Sequence, residues 1–239
     1  MREKLFTRRI GEVNLFEVQG PFINSSAKSL SGEMNRFLAK QPAPGLLLNV
    51  KQADRIDEAG AEMLLEILRK QDKKGVWGHN LSAYFIAEHM NPEEAVPFFE
   101  KFHEAVSFFG PELAQGGDRV KEKRRFPRVR TALPVTLSFP EQDETFSLDV
   151  IVTNLSRGGF YAYYPDAQAE ALARRLLNPL DLKMIQVQLV LDRNHKILAE
   201  GKFLRSEKEF PESTGLAVEF YTLKPGDREK IEQWVEAKP

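Results

Sequence analysis

The stretch from Arg119 to Arg130 holds seven basic residues (119, 121, 123, 124, 125, 128 and 130) against one acid, Glu122, in a chain whose formal net charge is only −1. Charge this uneven needs a local explanation, and three are open. The plainest is a solvated charge run at a domain boundary. The second is neutralisation of nucleic-acid phosphates, although a pI near 6.5 and the lack of a wider basic stripe count against it. The third is a compact anion carrying both phosphates and flat bases. Arginine suits that combination, because its planar fork donates two bonds to a phosphate or to a guanine O6/N7 edge and also stacks on a base. Five of the seven basic residues are Arg.

A second constellation lies downstream in "VTNLSRGGF". Asn154 and Ser156 offer short polar side chains able to bond a base or a phosphate, and Gly158 and Gly159 permit a positive φ and a close approach of ligand to backbone. Taken alone, the same residues make an ordinary β-turn. Other chemistries find less support. The absence of cysteine excludes disulfides, thiolate zinc sites and thiol nucleophiles, and His79, His89, His103 and His195 have no ligand spacing. Asp54, Asp57 and Asp149 read as caps and surface charges, so neither catalysis nor a metal is expected.

The elements that must position these groups change character along the chain. With 239 residues, 42% hydrophobic content and 17 Phe, two domains of about 110 residues are expected. In the first half, strands at 12–18, 45–50 and 81–87 alternate with helices at 25–40 and 57–75, and a further helical stretch follows Pro92. That alternation predicts an α/β domain over residues 1–115. Paired glycines at 116 and 117 then read as a flexible connector into the basic segment.

From there the hydrophobic period becomes two. Strands are expected at 133–139, 146–156, 158–164, 183–191, 197–206 and 214–220, with a helix at 165–178 and an amphipathic terminal helix presenting Ile231, Trp234 and Val235. Short strands mostly without intervening helices predict a small antiparallel barrel over residues 116–239, with the last helix lying across it. No apolar run approaches the roughly 18 residues needed to span a bilayer, and the N-terminus has no signal-like apolar stretch. A cytoplasmic protein without membrane insertion is expected.

Arg124-x-x-x-Arg128 followed by Asn154-x-Ser156-x-x-Gly159 resembles the paired signature of PilZ domains, bacterial receptors for the second messenger cyclic di-GMP. The likeness extends over about residues 120–236, including "GLAVEF" and the terminal helix. It implies that an arginine arm before the first barrel strand wraps over nucleotide on the barrel surface. Arg124 and Arg128 would grip guanine edges and phosphates, Arg125 would assist or stack, and Asn154, Ser156 and Gly159 would hold the base from the turn. The implied ligand is cyclic di-GMP, with no nucleic-acid partner.

The first half, with its turn "ADRIDEAGAEML", resembles a STAS domain of the anti-sigma-factor-antagonist type over roughly residues 10–112. In that family an Asp-Ser-Ser/Thr-Gly turn leads into a helix, and the hydroxyl just before the glycine is phosphorylated. Here the turn reads Asp57, Glu58, Ala59, Gly60, so the family's phosphorylation switch cannot operate at Ala59. Glu58 is open to two readings, a standing negative charge or an acidic first turn complementing the helix dipole. The resemblance implies a module that docks a protein partner. Together the halves suggest a signalling adaptor that senses cyclic di-GMP and passes its state on. The alternative is a constitutive interaction scaffold whose PilZ fold binds no nucleotide.

Overall fold

The computed structural model describes residues 3–90, 96–115, 126, 128–141, 144–177, 184–192, 195–210 and 213–238. Contacts divide the chain into two compact units, Met1–Glu112 and Leu113–Pro239. In the first, β1 (Lys4–Ile10) and β2 (Val13–Phe22) form an antiparallel hairpin that turns at Gly11, whose φ is 59°. β3 (Gly45–Ile56), β4 (Lys73–Trp77) and β5 (Phe98–Phe99) extend the sheet in parallel, in the order β1-β2-β3-β4-β5.

Helix α1 (Asn24–Lys40) buries Ala27, Leu30, Met34 and Phe37, the i, i+3, i+7, i+10 positions of one face. With Leu64, Leu65 and Leu68 of α2 (Glu58–Arg69) they pack on Phe16, Val18, Leu46, Leu48 and Val76 of the sheet. The opposite sheet face receives the end of α4 (Phe102–Phe108) and the short α5 (Gly110–Leu113), both within the stretch expected to be helical after Pro92. Gly75 leaves room there for the Phe99 and Phe109 rings, since a Cβ would lie 2.6 Å and 3.3 Å from them, and a Cβ on Gly45 would lie 3.1 Å from the Val13 side chain and 3.2 Å from the Glu12 carbonyl oxygen.

Two expectations for this half are corrected. Residues 81–87 are not a strand but lie in helix α3 (Leu81–Glu88), because Asn80 caps it: its side chain accepts from the Ala83 N–H at 2.9 Å and donates to the Val50 carbonyl at 2.7 Å. The strand in that part of the chain is β4, whose "KKGVW" reads in the sequence as a basic helix end and a glycine stop. β1 has no counterpart among the expected elements. Residues 91–95, where the later helical stretch was expected to begin, lie outside the described residues.

The second unit is a closed antiparallel barrel of β6 (Arg128–Glu141), β7 (Glu144–Ser156), β8 (Gly159–Tyr163), β9 (Met184–Asp192), β10 (His195–Phe210) and β11 (Ser213–Thr222), in the order β10-β11-β8-β7-β6-β9. All six overlap the expected strands, but β6 begins at Arg128 and not at 133, so that this arginine is part of the strand and not of an arm before it, and β10 runs on to Phe210. Val135, Leu137, Val150, Val152, Leu189 and Leu216 fill its interior. Helix α6 (Ala167–Leu176) is capped by Asp166. Helix α7 (Pro225–Glu236) sinks Ile231 completely into the barrel core, with Trp234 and Val235 half-buried against it. Closure pairs each of these strands on both sides and so leaves the barrel no open edge among them.

Candidate functional site

The β6–β7 register brings the two sequence motifs together. Arg128, the first residue of β6, lies directly across from Ser156, and Arg130 lies across from Asn154. Leu155 points into the barrel core, so Asn154 and Ser156 belong to the outer face. There Asn154 is half-buried between Arg130 and its partner on β8, Tyr161. Arg128 and Arg130 are both exposed. Arg124 and Arg125 lie outside the described residues, as does the glycine connector at 116 and 117.

Arg157 and Gly158 join β7 to β8 in a tight turn, and Ser156 fastens it. Its hydroxyl donates to the Gly159 carbonyl at 3.0 Å and accepts from the Gly158 N–H at 3.3 Å. Having committed its single O–H, Ser156 retains only an acceptor lone pair to offer a ligand without opening the turn. Gly159 has φ of 155°, and a Cβ there would stand 2.2 Å from the Val218 carbonyl oxygen. Only glycine lets β8 approach β11 this closely.

The neighbours of this turn carry no motif of their own in the sequence. Phe126, between the two motif arginines, packs on Gly158 and lies 5.4 Å from the Arg157 guanidinium. Arg157 in turn forms an ion pair with Glu232 of α7. Phe126, Arg157, Glu232, Val235 and Glu236 line a small cavity of about 180 Å³. The rings of Tyr161 and Tyr163 meet edge to face at 5.3 Å beside Asn154. "YAYY" gives a strand signal in the sequence, but the pairing of residue 157 with residue 232 gives none.

The STAS-like turn is built on the same plan with different side chains. Asp57 caps α2, its Oδ1 accepting from the Gly60 N–H at 2.8 Å, while its Oδ2 accepts from the Asn24 N–H at 3.1 Å. A Cβ on Gly60 would stand 2.2 Å from the Phe22 carbonyl oxygen. Glu58 and Ala59 are exposed in the first helical turn. Among the described residues no group of three or more His, Asp or Glu could hold a metal, and no helix is long and apolar enough to cross a membrane.

Residues 122–237 match the PilZ domain model and residues 5–77 the STAS domain model. Similar solved structures include the Bacillus subtilis inhibitor of motility (MotI/DgrA), at 16% identity over 51% of this chain and 55% of that one, with a TM-score of 0.38. YcgR from Escherichia coli, solved in complex with c-di-GMP, is 15% identical over 48% of this chain and 46% of its own, with a TM-score of 0.37. The chain thus spans about half the length of each. An anti-sigma factor antagonist from Mycobacterium paratuberculosis is 14% identical over 44% of this chain and 92% of its own, with a TM-score of 0.39. No curated protein matches the chain.

Proposed function

Since the chain joins a STAS-like domain to a C-terminal PilZ domain, we propose that it is a signalling adaptor that binds cyclic di-GMP and transmits its state to a protein partner. What carries this reading is the β6–β7 register, which sets the exposed Arg128 beside the buried Ser156 and the exposed Arg130 beside the half-buried Asn154. Arg124 is four residues upstream of Arg128, so it can reach no further than about 14 Å from it along an extended chain. A dianion with two guanines beside these residues would meet arginine forks from the arm and from β6, and short polar groups from the turn. Arg124 and Arg128 grip phosphates and guanine edges, Arg125 assists, and Asn154, Ser156 and Gly159 form the opposite wall.

The ligand also acts on the chain between the domains, which we place at 1–115 and 116–239. Because the arm directly follows Gly116 and Gly117, closing it on nucleotide restricts the path of the connector and favours one domain arrangement. The STAS-like domain then presents its partner surface differently in the two states, without catalysis by either domain.

Calorimetry of the full chain with cyclic di-GMP is the deciding experiment. Saturable heat is expected, with hydrogen exchange slowed across residues 116–130 and a changed radius of gyration in small-angle scattering. No heat at high nucleotide concentration would leave a constitutive scaffold. Tight binding with exchange and scattering both unchanged would mean that the signal leaves through the barrel surface alone.

A further inference from the structure

Phe126 stands between the two arginines of the arm motif and does something neither of them can. Its ring covers Gly158: a Cβ built on that glycine would lie 2.8 Å from Cδ2 and 3.1 Å from Cε2 of Phe126, and the third nearest atom, at 4.0 Å, is again of the Phe126 ring. The backbone at Gly158 is not among the positive-φ positions, so an ordinary L-residue would fit there if Phe126 were absent. Glycine at 158 is therefore required by Phe126 and by no other packing contact among the described residues. The same ring lies 5.4 Å from the Arg157 guanidinium, and Arg157 also forms an ion pair with Glu232. Glu232 belongs to α7, which Ile231 roots in the barrel core.

We infer that Phe126 is a positioning residue for the arginine clamp, an aromatic anchor whose seat on Gly158 and on the Glu232-held Arg157 fixes the register of the arm at the nucleotide site. This rests on the proposed nucleotide site and adds to it the part of the arm that never touches ligand. The seat holds the arm on the turn that ends in Gly159, two residues before Arg128 enters register with Ser156. An anchor two residues from each motif arginine shortens the stretch of arm that nucleotide has to order, so affinity gains from partial pre-organisation. Apolar contact and the cation–π face together supply the anchor. Glu232 supplies its support, because a guanidinium paired in one place is a firmer platform than a free one.

The test is a double-substitution cycle on the full chain, read by calorimetry with cyclic di-GMP and by thermal melting. Phe126→Ala is expected to raise Kd about tenfold, equivalent to about 1.4 kcal/mol, while the barrel still melts cooperatively. Gly158→Ala should weaken binding similarly by lifting the ring. In the Phe126→Ala background Gly158→Ala should cost nothing more, because the atoms it would strike are gone. Phe126→Trp, which keeps an aromatic face, should rescue most of the affinity. Wild-type affinity in Phe126→Ala, or an equal cost of Gly158→Ala in both backgrounds, overturns the anchor.

If the wild-type protein binds no cyclic di-GMP, the receptor reading fails and hydrogen exchange in the free protein decides the anchor on its own. Faster exchange at the amides of Arg128–Arg130 in Phe126→Ala supports it. Unchanged exchange there refutes it.

Discussion

The turn at Asp57–Gly60 in the STAS-like domain and the turn at Ser156–Gly159 in the barrel solve one mechanical problem in the same way and differ in everything chemical. Each is closed by a side-chain oxygen of its first residue: Asp57 accepts from Gly60, and Ser156 donates to the Gly159 carbonyl. Each ends in a glycine whose Cβ would stand 2.2 Å from a backbone carbonyl oxygen. Around the first, the exposed positions are Glu58 and Ala59; around the second they are Arg128 and Arg130, with Asn154 half-buried beside them. The closing oxygen and the glycine thus have a scaffold role in both turns, which in the barrel is additional to the ligand contacts proposed for Ser156 and Gly159. Their presence says that a turn is intact, and the residues beside it say whether it has chemistry to perform.

Replacing the glycines tests the shared half of the comparison and should give the largest effects. Gly159→Ala combines a backbone collision with an unfavourable φ and should destabilise the barrel by roughly 2–4 kcal/mol. Gly60→Ala, which brings the collision alone, should destabilise the STAS-like domain by roughly 1–3 kcal/mol. Denaturant unfolding followed separately in the two domains checks this. A loss under about 0.5 kcal/mol at either glycine would mean that its turn relaxes freely and that the two are not built alike.

The unshared half is tested through the arginines. Arg124→Ala and Arg128→Ala should each weaken cyclic di-GMP binding by about 10- to 150-fold, the loss of charge-assisted bonds of roughly 1.5–3 kcal/mol. Lys121→Ala and Lys123→Ala should matter much less. Equal losses at all four positions would indicate a diffuse attraction to phosphate and revive a duplex-DNA partner.

Legibility in the sequence followed the physics of each half. Most barrel strands bury one face, so period-two alternation marks them, while β8, buried at all five residues, shows itself by its aromatic content between glycines and turn residues. The two motifs that meet at Arg128 and Ser156 stand in plain view in the order a family resemblance expects. In the α/β half the apolar run 81–87 carries no such alternation. What decides it is the bond from the Asn80 side chain to the distant Val50 carbonyl, which fixes the cap in tertiary structure. The short β4 was hidden for the converse reason, since Lys73 and Lys74 look like a helix end unless the parallel pairing with β3 is known. The Phe126–Arg157–Glu232 cluster was illegible because its members are brought together only by the β6–β7 pairing and the docking of α7.

Intermediate effects are expected where the closing oxygens are removed. Asp57→Ala deletes an N-cap and should cost the STAS-like domain about 1 kcal/mol. Ser156→Ala removes a buried hydroxyl bonded at both ends and should cost the barrel about the same. Its effect on nucleotide binding should be only a few-fold, through a loosened turn. A loss at Ser156 as large as at Arg128 would show instead that the hydroxyl leaves the Gly159 carbonyl and bonds the ligand itself.

The smallest effect concerns Ala59. Its methyl is exposed in the first turn of α2, so Ala59→Ser should change stability by less than about 0.5 kcal/mol. The wild-type turn from Asp57 to Gly60 carries no hydroxyl, and mass spectrometry after incubation with ATP and cell extract should find it unmodified. With Ala59→Ser, the cap bond from Asp57, the exposed position and the intact Gly60 together recreate the geometry of a hydroxyl just before the glycine. Phosphate appearing on the introduced hydroxyl in the same extract would show that the scaffold still presents a substrate to a kinase and that only the acceptor atom is missing. A variant that stays unmodified would place the loss of the switch in the surrounding surface as well. Phosphate on Ser25 or Ser26 of the wild-type protein would move the regulated position of this domain to the start of α1.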